Sequence, residues 1–227
     1  MEALSFAKSS APVIRETEFK LPIRTENDLR KFVERAFGVH IPDVQVCANH
    51  STPWRAFCDA YFCRNTVAIW KASRGLGGKS FLLALLTNVE AITLNADVVL
   101  LGASGAQSKR VLAHMGKHWE HPSAPRALLR TEVSSEMKFA KGNYVKALMA
   151  SQASVRGEHP QRMRLDEIDE MDLQILNSAL GMPMTNNARG VRAQTVMSST
   201  HQYADGPMTE MFKEAARKGW QTHCRRL

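Results

Sequence analysis

The spacing of apolar residues changes character part-way along this chain. Residues 1 to about 24 alternate prolines (Pro12, Pro22) with charges of both signs and predict irregular structure. Thr25 then stands at the N-cap of an amphipathic helix, ENDLRKFVERAF (26–37), which Gly38 closes. A second helix is predicted from Thr52, with Pro53 in its first turn, through WRAFCDAYF. Beyond it, short apolar runs alternate with longer helical stretches. TVAIW (66–70), DVVLLG (97–102), NYVKALMA (143–150), MRL (163–165) and QTVMSS (194–199) read as strands. KSFLLALLTNVEA (79–91) and AQSKRVLAHMGKHW (106–119) read as helices, the first mostly apolar and the second amphipathic. Strands alternating with helices predict an α/β fold with a mainly parallel sheet covered by helices.

Between the first strand and the apolar helix lies ASRGLGGKS (72–80). A strand, a glycine-rich turn and a helix are the arrangement that binds phosphate. Backbone N–H groups of the turn and the helix N-terminus point together at the anion. The usual pattern places glycine six residues before the lysine, where this chain has Ser73, and Arg74 sits inside the loop. Gly75, Gly77 and Gly78, with Leu76 between them, still allow close backbone approach. Lys79 would reach the β- and γ-phosphates of a nucleotide, and Ser80 would ligate magnesium. The plainer reading is a glycine-rich turn without a ligand, and the flanking strand and helix argue against it.

Such a loop needs a carboxylate on a second strand. RMRLDEIDEMD (162–172) supplies Asp166 and Glu167 at a strand's carboxyl end, where ligands of open α/β sheets bind. Asp166 is assigned to magnesium and Glu167 to the attacking water. Arg164 within this strand predicts a place near the sheet edge or a partly open face. Asp169, Glu170 and Asp172 read as favourable charge near a helix N-terminus.

Composition narrows the partners. Lys and Arg outnumber Asp and Glu by 30 to 22 in 227 residues, a formal charge of +8 that favours polyanions such as nucleic acid. Four cysteines without C-x-x-C spacing fit reduced thiols, not a disulfide framework or a zinc site. The polar first 25 residues do not resemble a signal peptide, and no apolar run approaches the ~20 residues that cross a bilayer. His114, His118 and His121 have a helical spacing that invites a metal, but a solvent-facing helix end is the preferred reading. Lys109, Arg110, Lys117, Arg126 and Arg130 are candidate DNA contacts or ordinary solvated charges.

Taken in order, SRGLGGKS, SVRG, RLDE and SSTH resemble the large (motor) subunit of tailed-phage and herpesvirus terminases, over roughly residues 50 to 212. The resemblance implies a P-loop NTPase fold of the ASCE/RecA-like kind that uses ATP and Mg²⁺. It implies a γ-phosphate contact in cis for Arg74 and in trans, toward a neighbouring subunit, for Arg156 in SVRG. It likewise implies coupling of hydrolysis to movement by Ser199, Thr200 and His201. TPWRAF (52–57) is similar to the family's adenine-binding segment, which assigns Trp54 and Arg55 to the nucleotide. Double-stranded DNA, a portal protein, a small terminase subunit and a pentameric ring of copies are the implied partners, in the host cytoplasm. The implied domains are an extension over 1–45 with one helix, a motor over 46–215, and a tail or linker over 216–227 before a nuclease domain that this chain lacks. The rivals are a DExD/H-type helicase-like ATPase, for which a second RecA-like domain has no room, and a nucleotide-gated DNA-binding module without turnover.

Overall fold

The computed structural model describes residues 22–46, 48, 50–73, 78–133, 135–151, 153–154 and 157–225. Helices α1 (Glu26–Phe37) and α2 (Pro53–Tyr61) precede β1 (Val67–Ala72). Then come α3 (Lys79–Thr93), β2 (Val98–Gly102), α4 (Gly105–Trp119), β3 (Leu129–Val133), β4 (Glu136–Phe139) and β5 (Tyr144–Met149). β6 (Arg162–Asp166), α5 (Leu173–Leu180), β7 (Gln194–Ser199), α6 (Pro207–Lys218) and β8 (Gln221–Arg225) complete the order. The eight strands form one sheet in the order β3-β4-β5-β2-β6-β7-β1-β8. β5, β2, β6, β7, β1 and β8 run parallel, while β3 and β4 form an antiparallel hairpin on β5.

Parallel strands need both faces covered, and the alternation of side chains shows how this is done. Ala68 and Trp70 of β1, Val98 and Leu100 of β2, and Val196 of β7 join a core with α1 to α4. Ile69, Val99, Leu101, Met163, Leu165 and Met197 face the other way, into a core with α5 and α6. The first helix is therefore not a separate extension in packing terms: Leu29, Phe32, Val33 and Phe37 belong to the larger core. Its start is fixed by a capping box between Thr25 and Asp28 and its end by Gly38 in the left-handed conformation.

Two expectations are corrected here. The segment expected as a tail carries β8, whose Gln221 to Arg225 pair with Ala68 to Ala72 of β1. And β6 is no edge strand: it lies between β2 and β7, with Arg164 fully buried. The arginine is tolerated there because Glu90 of α3, itself without exposure, meets both Arg164 Nη2 and Arg162 Nε, the latter at 2.8 Å.

Candidate functional site

The carboxyl ends of β1, β6 and β7 converge with the start of α3 around a cleft of about 350 Å³. Ser73, Gly78, Lys79, Ser80 and Phe81 form its floor. Glu167, Glu170 and Gln202 line one wall, and Gln107, Arg110 and His114 of α4 line another. Arg74, Gly75, Leu76 and Gly77 of the loop, and Arg156, lie outside the described residues.

Gly78 caps α3 with φ 52°, a left-handed conformation in which a side chain is strained even though a Cβ would meet nothing within 4 Å. The next residue, Lys79, is buried, and its Nζ donates to Thr200 Oγ1 at 3.0 Å. An ammonium held at a helix N-terminus and bonded, among the described residues, to a single hydroxyl keeps further donors for an anion.

Ser80 Oγ donates to Asp166 Oδ2 at 2.5 Å, and Ser198 Oγ donates to Asp166 Oδ1 at 2.5 Å. The register of β6 and β7 produces this, because Asp166 pairs directly with Ser198. Two hard oxygen donors this close, a hydroxyl and a carboxylate, suit magnesium, which leaves its other positions to water and phosphate oxygens. The residues present thus fit the ion that the sequence implies.

Glu167 follows Asp166 with φ 55°, one of three non-glycine residues with positive φ among those described. Such a conformation costs free energy and persists where the surroundings impose it, commonly at functional sites. It ends β6 abruptly and turns the carboxylate into the cleft, where Ser199 Oγ donates to Oε2 at 3.4 Å. The assigned loop lysine, both acidic residues, Ser199 and Thr200 therefore meet in one place. His201 does not: its ring bonds Lys71 Nζ at 3.3 Å and Thr209 Oγ1 at 2.8 Å, joining β1 to α6.

Trp54 and Arg55 do not line the cleft. Trp54 is buried, with the Arg30 guanidinium 4.1 Å above its ring and Phe57 stacked beside it at 6.0 Å. The start of α2 nevertheless lies at the same end of the sheet, since Ser51 N donates to Cys224 O and Cys224 pairs with Lys71. Arg55 there is bonded to Asp59 at 3.2 Å with its side chain 62% exposed.

The α4 wall was not assigned to this site from sequence. Its signal was available: Ser104 and Gln107 form a capping box that starts a helix where a buried strand ends. Burial holds the His114 imidazole below its usual range, with Lys117 adding to the shift and Asp166 opposing it. His118 is not solvent-facing as expected. It packs edge-on against Phe81 at 4.8 Å, faces Asn88 Nδ2 across 3.2 Å, and burial pushes its pKa to about 4. Among the described residues, no group of three His, Cys, Asp or Glu side chains is placed to hold a metal ion.

Asp169 is likewise more than helix-end charge. The cap of α5 is Asp172, which accepts from Gln174 N and Ile175 N. Asp169 is buried, and its carboxylate accepts from Gln202 N at 2.6 Å, Tyr203 N at 3.1 Å and Met208 N at 3.0 Å. Two residues beyond Glu167, it ties the turn after β6 to the loop that leaves β7. Gly206 makes the fit possible, because a Cβ there would sit 2.7 Å from Asp169 Oδ1 and 2.8 Å from Tyr203 Cβ. Gly206→Ala is expected to cost about 1–3 kcal/mol by overpacking this loop, read as a lowered urea midpoint with unchanged m-value.

The sheet order, the buried parallel strands and the cleft over their carboxyl ends define an α/β P-loop NTPase fold. Solved structures agree. The chain is similar to the large terminase of bacteriophage HK97, with a TM-score of 0.59 at 17% identity over 86% of this chain and 43% of that one. It is similar to the large terminase of a thermophilic bacteriophage, with a TM-score of 0.54 at 12% identity over 75% of this chain and 44% of that one. At these identities the likeness is one of fold, and the chain spans less than half the length of either. No protein-family model matches the sequence, and no curated protein matches it.

Proposed function

We propose that this chain is the ATP-hydrolysing motor domain of a viral DNA-packaging terminase. The observation that carries the reading is the meeting of Lys79, Ser80, Asp166, Glu167, Ser199 and Thr200 around one cleft, linked by Lys79–Thr200, Ser80–Asp166 and Glu167–Ser199 bonds. The fold shared with phage large terminases supports it.

In this reading Lys79 and the N-terminus of α3 bind the phosphates, and Ser80 and Asp166 would hold magnesium, which would supply positive charge to the bound phosphates. Glu167 orients a water in line with the γ-phosphorus and accepts its proton. The water oxygen bonds to phosphorus as the bond to the β–γ bridging oxygen breaks, giving ADP and phosphate. Thr200 and Ser199 register whether phosphate is present: a nucleotide competes with Thr200 for Lys79, and His201 passes the change to α6 through Thr209. Arg74 in cis and Arg156 in trans from a neighbouring copy would stabilise charge at the γ-phosphate. The base end falls to the start of α2, where exposed Arg55 is better placed than covered Trp54. The +8 charge suits sequence-independent contact with double-stranded DNA. Portal, small subunit and a pentameric ring in the host cytoplasm complete the assembly.

The test is nucleotide binding and turnover by the purified chain with magnesium. ATP binding that Lys79→Ala weakens at least about tenfold, with turnover per chain rising with protein concentration, is the expected result. A chain that binds no ATP, or a Lys79→Ala variant that binds it equally well, would overturn the reading.

A further inference from the structure

Among the described residues that line the cleft, Arg110 is a cation whose purpose the preceding reading leaves open. It lies on α4 three residues after Gln107 and four before His114, so the three share a helix face. That face lines the same cleft as Lys79, Ser80, Glu167 and Glu170. Its backbone is well anchored. Ser104 and Gln107 cap the helix reciprocally, and Gly102, at the end of β2, lets α4 approach so closely that a Cβ would sit 2.4 Å from Ser108 N.

Arg110 itself is exposed and, among the described residues, makes no hydrogen bond or ion pair. The contrast with Lys79, bonded to Thr200, is informative. A guanidinium carried on a fixed helix into a cleft that two carboxylates also line, and bonded to neither among the described residues, remains available to an anion entering that cleft.

The sheet order says which part of the ligand it would meet. β8, which holds the start of α2 through the bond from Ser51 N to Cys224 O, lies on one side of β1, and β7, β6 and β2 follow on the other. α4 continues from β2, so Arg110 is on the far side of Asp166 and Glu167 from the base end. A phosphate chain laid along the start of α3 presents its terminal phosphate to this side.

We infer that Arg110 binds the terminal phosphate of the nucleoside triphosphate and so distinguishes triphosphate from diphosphate in this site. The inference rests on the ATPase reading above. It gives the chain a cation at the γ-phosphate that belongs to neither the loop nor a neighbouring subunit. The planar fork of arginine suits two phosphate oxygens at once.

The experiment compares Arg110→Ala and Arg110→Lys with the parent. Binding of the magnesium complexes of a non-hydrolysable ATP analogue and of ADP is measured by calorimetry, beside thermal unfolding and DNA affinity. Arg110→Ala is expected to weaken the ATP analogue about ten- to a hundredfold, as for a lost charged hydrogen bond, and ADP by less than about twofold. Arg110→Lys recovers part of the loss, since it restores charge without the fork. All three chains should unfold at the same temperature, because the side chain is exposed. Equal loss for both nucleotides, or no loss for either, overturns the inference. So does reduced DNA affinity with an unchanged ratio between the nucleotides, which would make Arg110 a DNA-phosphate contact. A parent that binds neither nucleotide overturns the ATPase reading itself, whereas a parent that binds both while Arg110→Ala fails to discriminate sinks only the role of Arg110.

Discussion

Glu167→Gln is expected to abolish most ATP turnover while leaving nucleotide binding within about twofold of the parent. The substitution keeps the shape of the side chain and an oxygen that can accept from Ser199, whose hydroxyl lies 3.4 Å from Glu167 Oε2. What it removes is the negative charge and the ability to take a proton from water. A positioned general base contributes typically 10²–10⁴ in rate, so kcat should fall by about that factor. Because Lys79, Ser80 and Asp166 are untouched, the loss should appear in kcat and not in affinity, the pattern of an interaction made in the transition state. Single-turnover hydrolysis beside equilibrium binding separates the two. Equal turnover in parent and variant would remove Glu167 from the mechanism. A parent with no turnover at all would favour a nucleotide-gated binding module over a motor.

The contrast between Glu167 and Asp169 illustrates what a sequence can reveal. The acidic pair was legible because it is local, a buried strand, a break and carboxylates at the carboxyl end, while the hydroxyl-rich strand end was given by the family resemblance. Parallel topology then brings those ends together whatever the details of packing. The roles of Asp169, His118 and Arg164 were not legible, since each depends on partners distant in sequence. Asp169 is closed around by the backbone of Gln202 to Met208, His118 by Phe81 and Asn88, and Arg164 by Glu90. A lone charge in a strand has two physical solutions, an open edge or a buried counter-charge, and the pattern of neighbours cannot choose between them. β8 is not legible for a related reason. Its apolar content is low, and it is a strand because Ala68 to Ala72 of β1 offer it a ladder.

The buried counter-charge also yields the largest expected effect on stability. Glu90 is the acidic partner of both Arg162 and Arg164, and all three side chains are at most 3% exposed. Gln194 accepts from Arg164 Nη2 at 3.0 Å and donates to Ala60 O and Asn65 O, extending the network to α2. Glu90→Gln would leave two guanidinium groups buried without a counter-ion. Removing one partner of a buried pair costs about 3–5 kcal/mol, a large share of the roughly 5–15 kcal/mol that keeps a domain folded. Arg164→Met should be milder. It removes the more buried arginine, whose Nε has no hydrogen-bond partner among the described residues, and leaves Glu90 and Arg162 as a one-to-one pair with a 2.8 Å contact. Urea unfolding of the three chains should therefore rank parent, then Arg164→Met, then Glu90→Gln, and the reverse order of the two variants would refute this account of the cluster. The position of the cluster adds a second condition. Glu90 lies eleven residues after Lys79 on α3, about 16 Å along the helix axis, so it braces the helix against β6 without reaching the cleft. At a temperature where Glu90→Gln remains folded, its affinity for ATP should match that of the parent.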